Sequence, residues 1–176
     1  VEAMKHGATD YVLKDRIGRL GNAVKRALEE KQVRDERRQL EQQLRLQATA
    51  LETTANGIVI TDATGTILWV NPAFTHCTGY AASEAVGQNP RILKSGKHDD
   101  AFYHEFWQTL RSGQPWRGEF INRRKDGSLY HDEHTITPVR SQNGHITHYV
   151  AMLHDVTERK RAREAARLKQ EATIRN

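Results

Sequence analysis

At Asn56-Gly57 the hydrophobic period of this chain changes, and every candidate fold has to accommodate that change. From Arg16 to about residue 54 there is no proline, and Gly18 and Gly21 are the only glycines. The apolar positions there, Val24, Leu28, Val33, Leu40, Leu44, Ala48, Leu51 and Ala55, recur mostly at spacings of three, four or seven. That is a helix with a narrow apolar seam bordered by charge. A seam so thin buries too little to stabilise a lone helix, so it needs cover. The cover is either the helix's own domain, which makes it a solvated spacer, or a second copy in a parallel dimeric coiled coil.

Beyond Gly57 the segments are short and separated by turn residues, the pattern of strands. Residues 58–61 and 66–70 flank Asp62-Ala-Thr-Gly65 and predict a hairpin. Asn71 caps a short helix with Pro72 at its first position. Residues 80–96, rich in glycine and with Pro90, predict one-turn helices and loop. Asp99 or Asp100 caps a longer helix through Leu110, closed by Gly113. Strands over 116–124, 128–139 and 145–154 are joined by Lys125-Asp-Gly-Ser128 and Ser141-Gln-Asn-Gly144. From Thr157 the chain is again Arg/Ala/Glu helix. The order gives an α+β fold, a five-stranded antiparallel sheet with its helices grouped on one face, flanked by N- and C-terminal helices.

Charge narrows the function. Of 27 Lys+Arg and 22 Asp+Glu, residues 1–50 hold 11 and 8, residues 51–155 hold 9 and 11, and residues 156–176 hold 7 and 3. The net charges are +3, −2 and +4. A nucleic-acid-binding core would carry its basic patch on the folded middle, so no nucleic-acid partner is expected. One cysteine, Cys77, permits neither an intrachain disulfide nor a thiolate-rich zinc site, which fits a cytoplasmic protein. No segment approaches the roughly 18 apolar residues that span a bilayer, and no signal pattern opens the chain. A chain that begins at Val1 is expected to be a segment of a longer protein.

The middle, about residues 51–160, resembles a PAS domain. The resemblance rests on Gly57-Ile-Val-Ile-Thr-Asp62, Asn71-Pro-Ala-Phe74, Thr78-Gly-Tyr80, Gly87-Gln-Asn-Pro-Arg-Ile-Leu-Lys-Ser-Gly96, Asn122-Arg-Arg-Lys-Asp-Gly127, Pro138-Val139 and Asp155-Val-Thr-Glu-Arg-Lys160. Gly7-Ala-Thr-Asp-Tyr-Val-Leu-Lys14 resembles the last strand of a response-regulator receiver domain, with Lys14 at its phosphate-sensing lysine. The implied layout is a receiver remnant over 1–20, a helical coiled-coil linker over 21–53, a PAS sensor over 54–156 and a connector helix over 157–176. A missing effector domain, such as a histidine kinase or a cyclic-di-GMP enzyme, would lie beyond; the chain itself carries no phosphate-cradling loop and no nucleophile-base motif.

Strand alternation sets the faces of the sheet. Trp116, Gly118, Phe120, Asn122 and Arg124 share one, as do Tyr130, Asp132, His134 and Ile136 on the next strand. Similarity to the light-sensing LOV branch turns Asn122, Asp132, His134, Ala151 and Leu153 inward. The outward set, Ile58, Ile60, Ile121, Val150 and Met152, is expected to be an apolar face needing cover. The resemblance is closest to LOV domains and to the redox-sensing PAS domain of the NifL type, both of which bind flavin. It implies that Asn122 meets the flavin pyrimidine edge, that Trp107 and Asn89 contact the ring system, and that Arg91 meets phosphate. Asn suits that edge because its amide both donates and accepts.

Departures from the family pattern are equally specific. Pro90 stands where LOV domains carry their adduct-forming cysteine, and Leu153 where they carry a signalling glutamine. Cysteinyl-adduct photochemistry is therefore closed to this chain, and Asp132 with His134 is the candidate pair that reads the state of a bound FAD or FMN. Asp155, Thr157 and Glu158 form the junction expected to relay it, in a homodimer joined through the flanking helices. Two alternatives stay open. One is a cofactor-free PAS module for dimerisation and relay; the other is a haem sensor using His98 or His104. His131 and His134 fall on opposite faces of one strand and cannot chelate one metal ion together.

Overall fold

The computed structural model describes residues 8–174, with side chains over 21–173. Helix α1 runs Ala8–Thr53, and the chain divides into two units, Val1–Thr49 and Ala50–Asn176. In the first unit the seam residues Val24, Leu28, Val33, Leu40 and Leu44 are all exposed. Its side-chain pairs, such as Arg37 with Glu41 at 2.9 Å, are exposed i,i+4 contacts that contribute little. The segment likened to a receiver strand is helical from Ala8 to Lys14, while Val1–Gly7 lie outside the described residues. A strand there would need a neighbour to complete its ladder, whereas a helix satisfies its backbone internally.

The second unit holds β1 (Gly57–Asp62), β2 (Ile67–Val70), α2 (Pro72–Thr78), α3 (Ala82–Ala85), a 3-10 turn at Pro90–Leu93, α4 (Asp100–Arg111), β3 (Trp116–Arg123), β4 (Leu129–Arg140), β5 (Ile146–Asp155) and α5 (Thr157–Ile174). The strands form one antiparallel sheet in the order β2-β1-β5-β4-β3. Its boundaries follow the turn chemistry closely. Asn71 caps α2 and Asp99 caps α4, whose first turn it closes by accepting from the Phe102 N–H at 2.9 Å. A bulge between Ile60 and Thr61 pairs Trp69 with Ile60 but Ile67 with Thr61, which leaves Leu68 exposed.

Asn71 ties three elements together. Its Oδ1 accepts from the N–H groups of Ile58 at 2.8 Å and Phe74 at 3.0 Å, and its Nδ2 donates to the carbonyls of Leu51 at 3.1 Å and Asn56 at 2.9 Å. The end of α1, the start of β1 and the start of α2 therefore meet on one buried amide.

The outward face departs from expectation at Ile58, which is 5% exposed. Asn56 crosses that end of the sheet, donating to the Met152 sulfur at 3.5 Å and pairing with His154 Nδ1 at 2.7 Å, so the chain covers its own strand there. Ile60, Ile121 and Val150 are half-buried and Met152 is exposed.

On the inward face the core lies in two clusters. Val59, Ile67, Val70, Phe74, Ala85, Leu93 and Leu153 form one, and Phe106, Leu110, Trp116, Phe120, Ile136 and Tyr149 the other. Gly118 belongs to the second by necessity: a Cβ there would stand 2.5 Å from the Trp116 ring, which folds across it.

Candidate functional site

Between the two clusters lies a cavity of about 690 Å³, lined by members of both. That volume lies within the usual range for small-molecule sites. Its walls are mainly apolar and aromatic, with Phe74, Phe106, Trp107, Phe120 and Tyr149 among them. Six of the seven residues singled out for cofactor contact line it: Asn89, Arg91, Trp107, Asn122, His134 and Leu153.

The seventh, Asp132, does not line the cavity. It is fully buried behind His134, whose Nε2 lies 2.7 Å from Asp132 Oδ2. Alternation placed both residues on the inward face, but only the second reaches the open space.

Asn122 is 7% exposed, and its side-chain amide makes no hydrogen bond among the described residues. Its backbone bridges to Lys94, which draws the loop before α4 against β3. His134 is held beside the Phe120 ring, with centroids 4.7 Å apart, and its Nδ1 is buried and unpartnered. A buried polar atom left unpaired costs about 1–3 kcal/mol, so Nδ1 is a standing cost in this wall, whereas the Asn122 amide is not among the buried unpaired atoms.

Asn89 is already engaged. Its Nδ2 donates to the Gly65 carbonyl at 3.0 Å and its Oδ1 accepts from the Arg91 N–H at 3.1 Å, capping the 3-10 turn. Gly65 has φ +86°, and a Cβ there would stand 3.0 Å from Asn89 Nδ2. Asn89 thus shapes the wall between the β1–β2 turn and Pro90. Sequence reasoning missed the cations beside Arg91: Lys94 stacks over the Tyr103 ring at 4.1 Å, and the Arg111 guanidinium lies 5.9 Å from the Trp107 ring centroid. Their spacing along a loop and a helix gives no sequence signal of convergence.

Neither histidine considered for haem lines the cavity. His98 accepts from the Ile121 N–H at 2.8 Å and stacks on Phe102, and burial depresses its basicity. His104 is exposed on α4. His131 faces outward and pairs with Glu119 at 2.9 Å, opposite to His134. Among the described residues no group of three or more His, Cys, Asp or Glu is arranged to hold a metal ion, and no helix is long and apolar enough to cross a membrane.

At the far end of β4 and β5 stands the junction with α5. Asp155 Oδ1 accepts from the Thr157 N–H at 2.9 Å, and its Oδ2 takes Arg124 Nη2 at 2.6 Å. Burial alone would raise the Asp155 carboxyl, but Arg124 and Thr157 outweigh it and hold it below the ordinary carboxylate value. Thr157 is buried and its hydroxyl accepts from the His131 N–H at 2.9 Å. Glu158 is exposed and pairs with Arg161, one turn on, instead of with the sheet.

Cys77 completes the junction, its carbonyl accepting from Arg124. Burial, with the charges of Asp132 and Asp155, pushes its thiol up to about 11 from 9.0. At pH 8 the thiolate fraction is then about a hundredfold below that of an unperturbed thiol. Iodoacetamide is expected to alkylate Cys77 about a hundredfold more slowly in the folded chain than in urea, read by mass spectrometry; equal rates would refute this.

A cavity between a five-stranded antiparallel sheet and helices on one face is an architecture found in sensory modules. Residues 45–156 match the PAS fold family, and this chain belongs to it. The chain is 44% identical over 109 residues to the nitrogen fixation regulatory protein of Klebsiella oxytoca, covering 62% of this chain and 22% of that one. The structure of an RNA-binding Light-Oxygen-Voltage receptor matches with TM-score 0.63 and 30% identity, over 73% of this chain and 36% of that one. A Light-Oxygen-Voltage domain studied with a flavin analogue matches with TM-score 0.58 and 29% identity, over 72% and 93%. The chain spans about a fifth of the length of the curated relatives at the head of this series. It is a PAS sensory domain related to those of signal-transduction proteins.

Proposed function

We propose that the cavity binds a flavin, FAD or FMN, and that the chain senses its redox or light state for an effector domain of the parent protein. The observation that carries this reading is the side-chain amide of Asn122, which has no protein partner among the described residues, beside the His134 ring on one wall of an aromatic slot. A flavin has a flat apolar ring system with a polar edge of carbonyl acceptors and an N–H donor, and when bound it supplies reversible redox chemistry. Asn122 satisfies both kinds of group on that edge, Trp107 and Phe120 pack against the ring, and Arg91, Lys94 and Arg111 supply positive charge for phosphate. With Pro90 in place of the adduct cysteine, redox change is the favoured stimulus.

The exposed seam of α1 supports a homodimer, in which a second copy covers Val24, Leu28, Val33, Leu40 and Leu44 in a parallel coiled coil. Such a pairing would bring together two copies of the effector, a histidine kinase or cyclic-di-GMP enzyme, that each α5 leads toward.

The test is an absorption spectrum of the purified chain after incubation with FAD, then after dithionite. The expected result is the paired visible flavin bands, bleached on reduction. A chain that stays colourless with FAD overturns the reading and leaves the cofactor-free relay module in front. In the same assay Asn122→Leu is expected to weaken FAD binding at least about tenfold, equivalent to one lost hydrogen-bonded pair. Unchanged affinity in that variant would remove Asn122 from the site.

A further inference from the structure

Three polar atoms of β4 are buried without a partner: Tyr130 Oη, Asp132 Oδ1 and His134 Nδ1. They occupy consecutive inward positions of one strand, so they form a row and not three separate defects. At one end His134 faces the cavity. At the other, the Tyr130 ring lies under the Arg124 guanidinium at 4.3 Å, and Arg124 is bound to Asp155, which caps α5. We infer that this row carries the state of the cavity to the output helix, with Tyr130 as the positioning residue that couples the Asp132–His134 pair to Arg124 and Asp155. The inference rests on the flavin reading of the cavity.

The direction of each bond follows from chemistry. Asp132 Oδ2 accepts from His134 Nε2–H, which leaves His134 Nδ1 buried without a partner in a ring that lines the cavity. An occupant that packs against the His134 ring and moves it therefore moves its contact with the Asp132 carboxylate. Asp132 is 0% exposed and has one bonded oxygen and one unbonded. The unbonded oxygen needs a second donor.

Tyr130 is the donor in place. Burial, with the neighbouring charge of Asp132, raises its phenol far above the ordinary range, so the hydroxyl stays protonated. It stands close enough to Asp132 to be raised by it, and is the neighbouring donor for the unbonded oxygen. Engagement and release of that oxygen shift the ring on which Arg124 rests. Arg124 is also held by the Cys77 carbonyl, so the shift is passed to Asp155 and not lost to solvent. The charged groups around the row are Arg91 and Lys94 of the loop before α4, Arg111 of α4, Arg124 after β3 and Asp155 of β5; Cys77 of α2 remains a neutral thiol.

The path is tested with Tyr130→Phe, which keeps the ring and removes only the hydroxyl. Tyr130 does not line the cavity, so the variant is expected to take up FAD to the wild-type extent, with the same visible spectrum. Hydrogen exchange of amides 155–165 is measured in the FAD-loaded chain, oxidised and dithionite-reduced. In the wild type the two states differ in exchange; in Tyr130→Phe their ratio falls to one. Reduced-minus-oxidised infrared spectra give a second readout: a carboxylate band lost in Asp132→Asn is shifted in Tyr130→Phe, which a merely packing role for the hydroxyl would not produce. A loaded Tyr130→Phe that keeps the wild-type exchange ratio and infrared band overturns the relay alone. A wild-type chain that takes up no FAD overturns the flavin reading and the relay with it.

Discussion

Asn71→Ala is expected to lower the stability of the sensory unit by about 3 kcal/mol, which is a substantial part of what a domain of this size possesses. Loss of the α2 cap contributes about 1 kcal/mol, and the Ile58 N–H left buried without an acceptor adds about 1–3 kcal/mol. The freed carbonyls of Leu51 and Asn56 sit nearer solvent and add less. In a urea titration followed by tryptophan fluorescence, the midpoint should fall with the slope unchanged. Asn71→Asp separates the two halves of the amide: it keeps the acceptor for both N–H groups but loses the donor to both carbonyls, so its loss should be smaller. A change under about 1 kcal/mol in Asn71→Ala would show that water replaces the side chain and that the three elements do not depend on it.

Asn71 also marks where sequence reasoning stopped. Its role as the cap of α2 was legible because a cap, a following proline and an apolar residue lie within one turn. Its bonds to Leu51 and Asn56, 20 and 15 residues back, were not, because nothing local distinguishes a cap that also reaches backward. The strands were legible for the same reason as the cap: alternation and turn residues act over a few positions. The α1 seam was likewise readable, since helical spacing alone marks Val24 through Leu44.

The candidate site was legible where strand alternation governs and obscure where loops converge. Asn122 and His134 both reached the cavity because each sits on an inward position of a regular strand. Asp132 did so in direction but not in depth, since alternation says which way a side chain points and not what stands in front of it. Asn89 was placed by resemblance at the ring system, while its amide closes the 3-10 turn. Tyr130 passed as an ordinary core aromatic because its significance depends on Arg124, carried past the end of the neighbouring strand. Glu158, expected at the junction, is turned to solvent by helix periodicity one position after the buried Thr157.

Asp155→Ala is expected to detach α5 from the sheet without emptying the cavity. The carboxylate caps the helix through Thr157 and pairs with Arg124, whose side chain is 24% exposed, so removal costs about 1 kcal/mol for the cap and a further, solvent-screened contribution for the pair. Amides 157–161 should lose most of their protection from hydrogen exchange, while FAD uptake stays at the wild-type level, because neither Asp155 nor Arg124 lines the cavity. The sign of the pH dependence follows from the lowered carboxyl. Because the folded value lies below the ordinary 3.8, the stabilisation is fully present above that value and is lost as pH falls through the lower, folded one. Protection of the first turn of α5 should therefore fall in acid in the wild type and change little with pH in Asp155→Asn, which keeps an acceptor for the Thr157 N–H but has no charge to lose. In the full-length parent, Asp155→Ala should leave the cofactor spectrum intact and abolish the response of the output to reduction. Retained regulation in that protein would mean that the signal leaves the sheet elsewhere, with Lys160 and its outward partner Glu119 the next contacts to break.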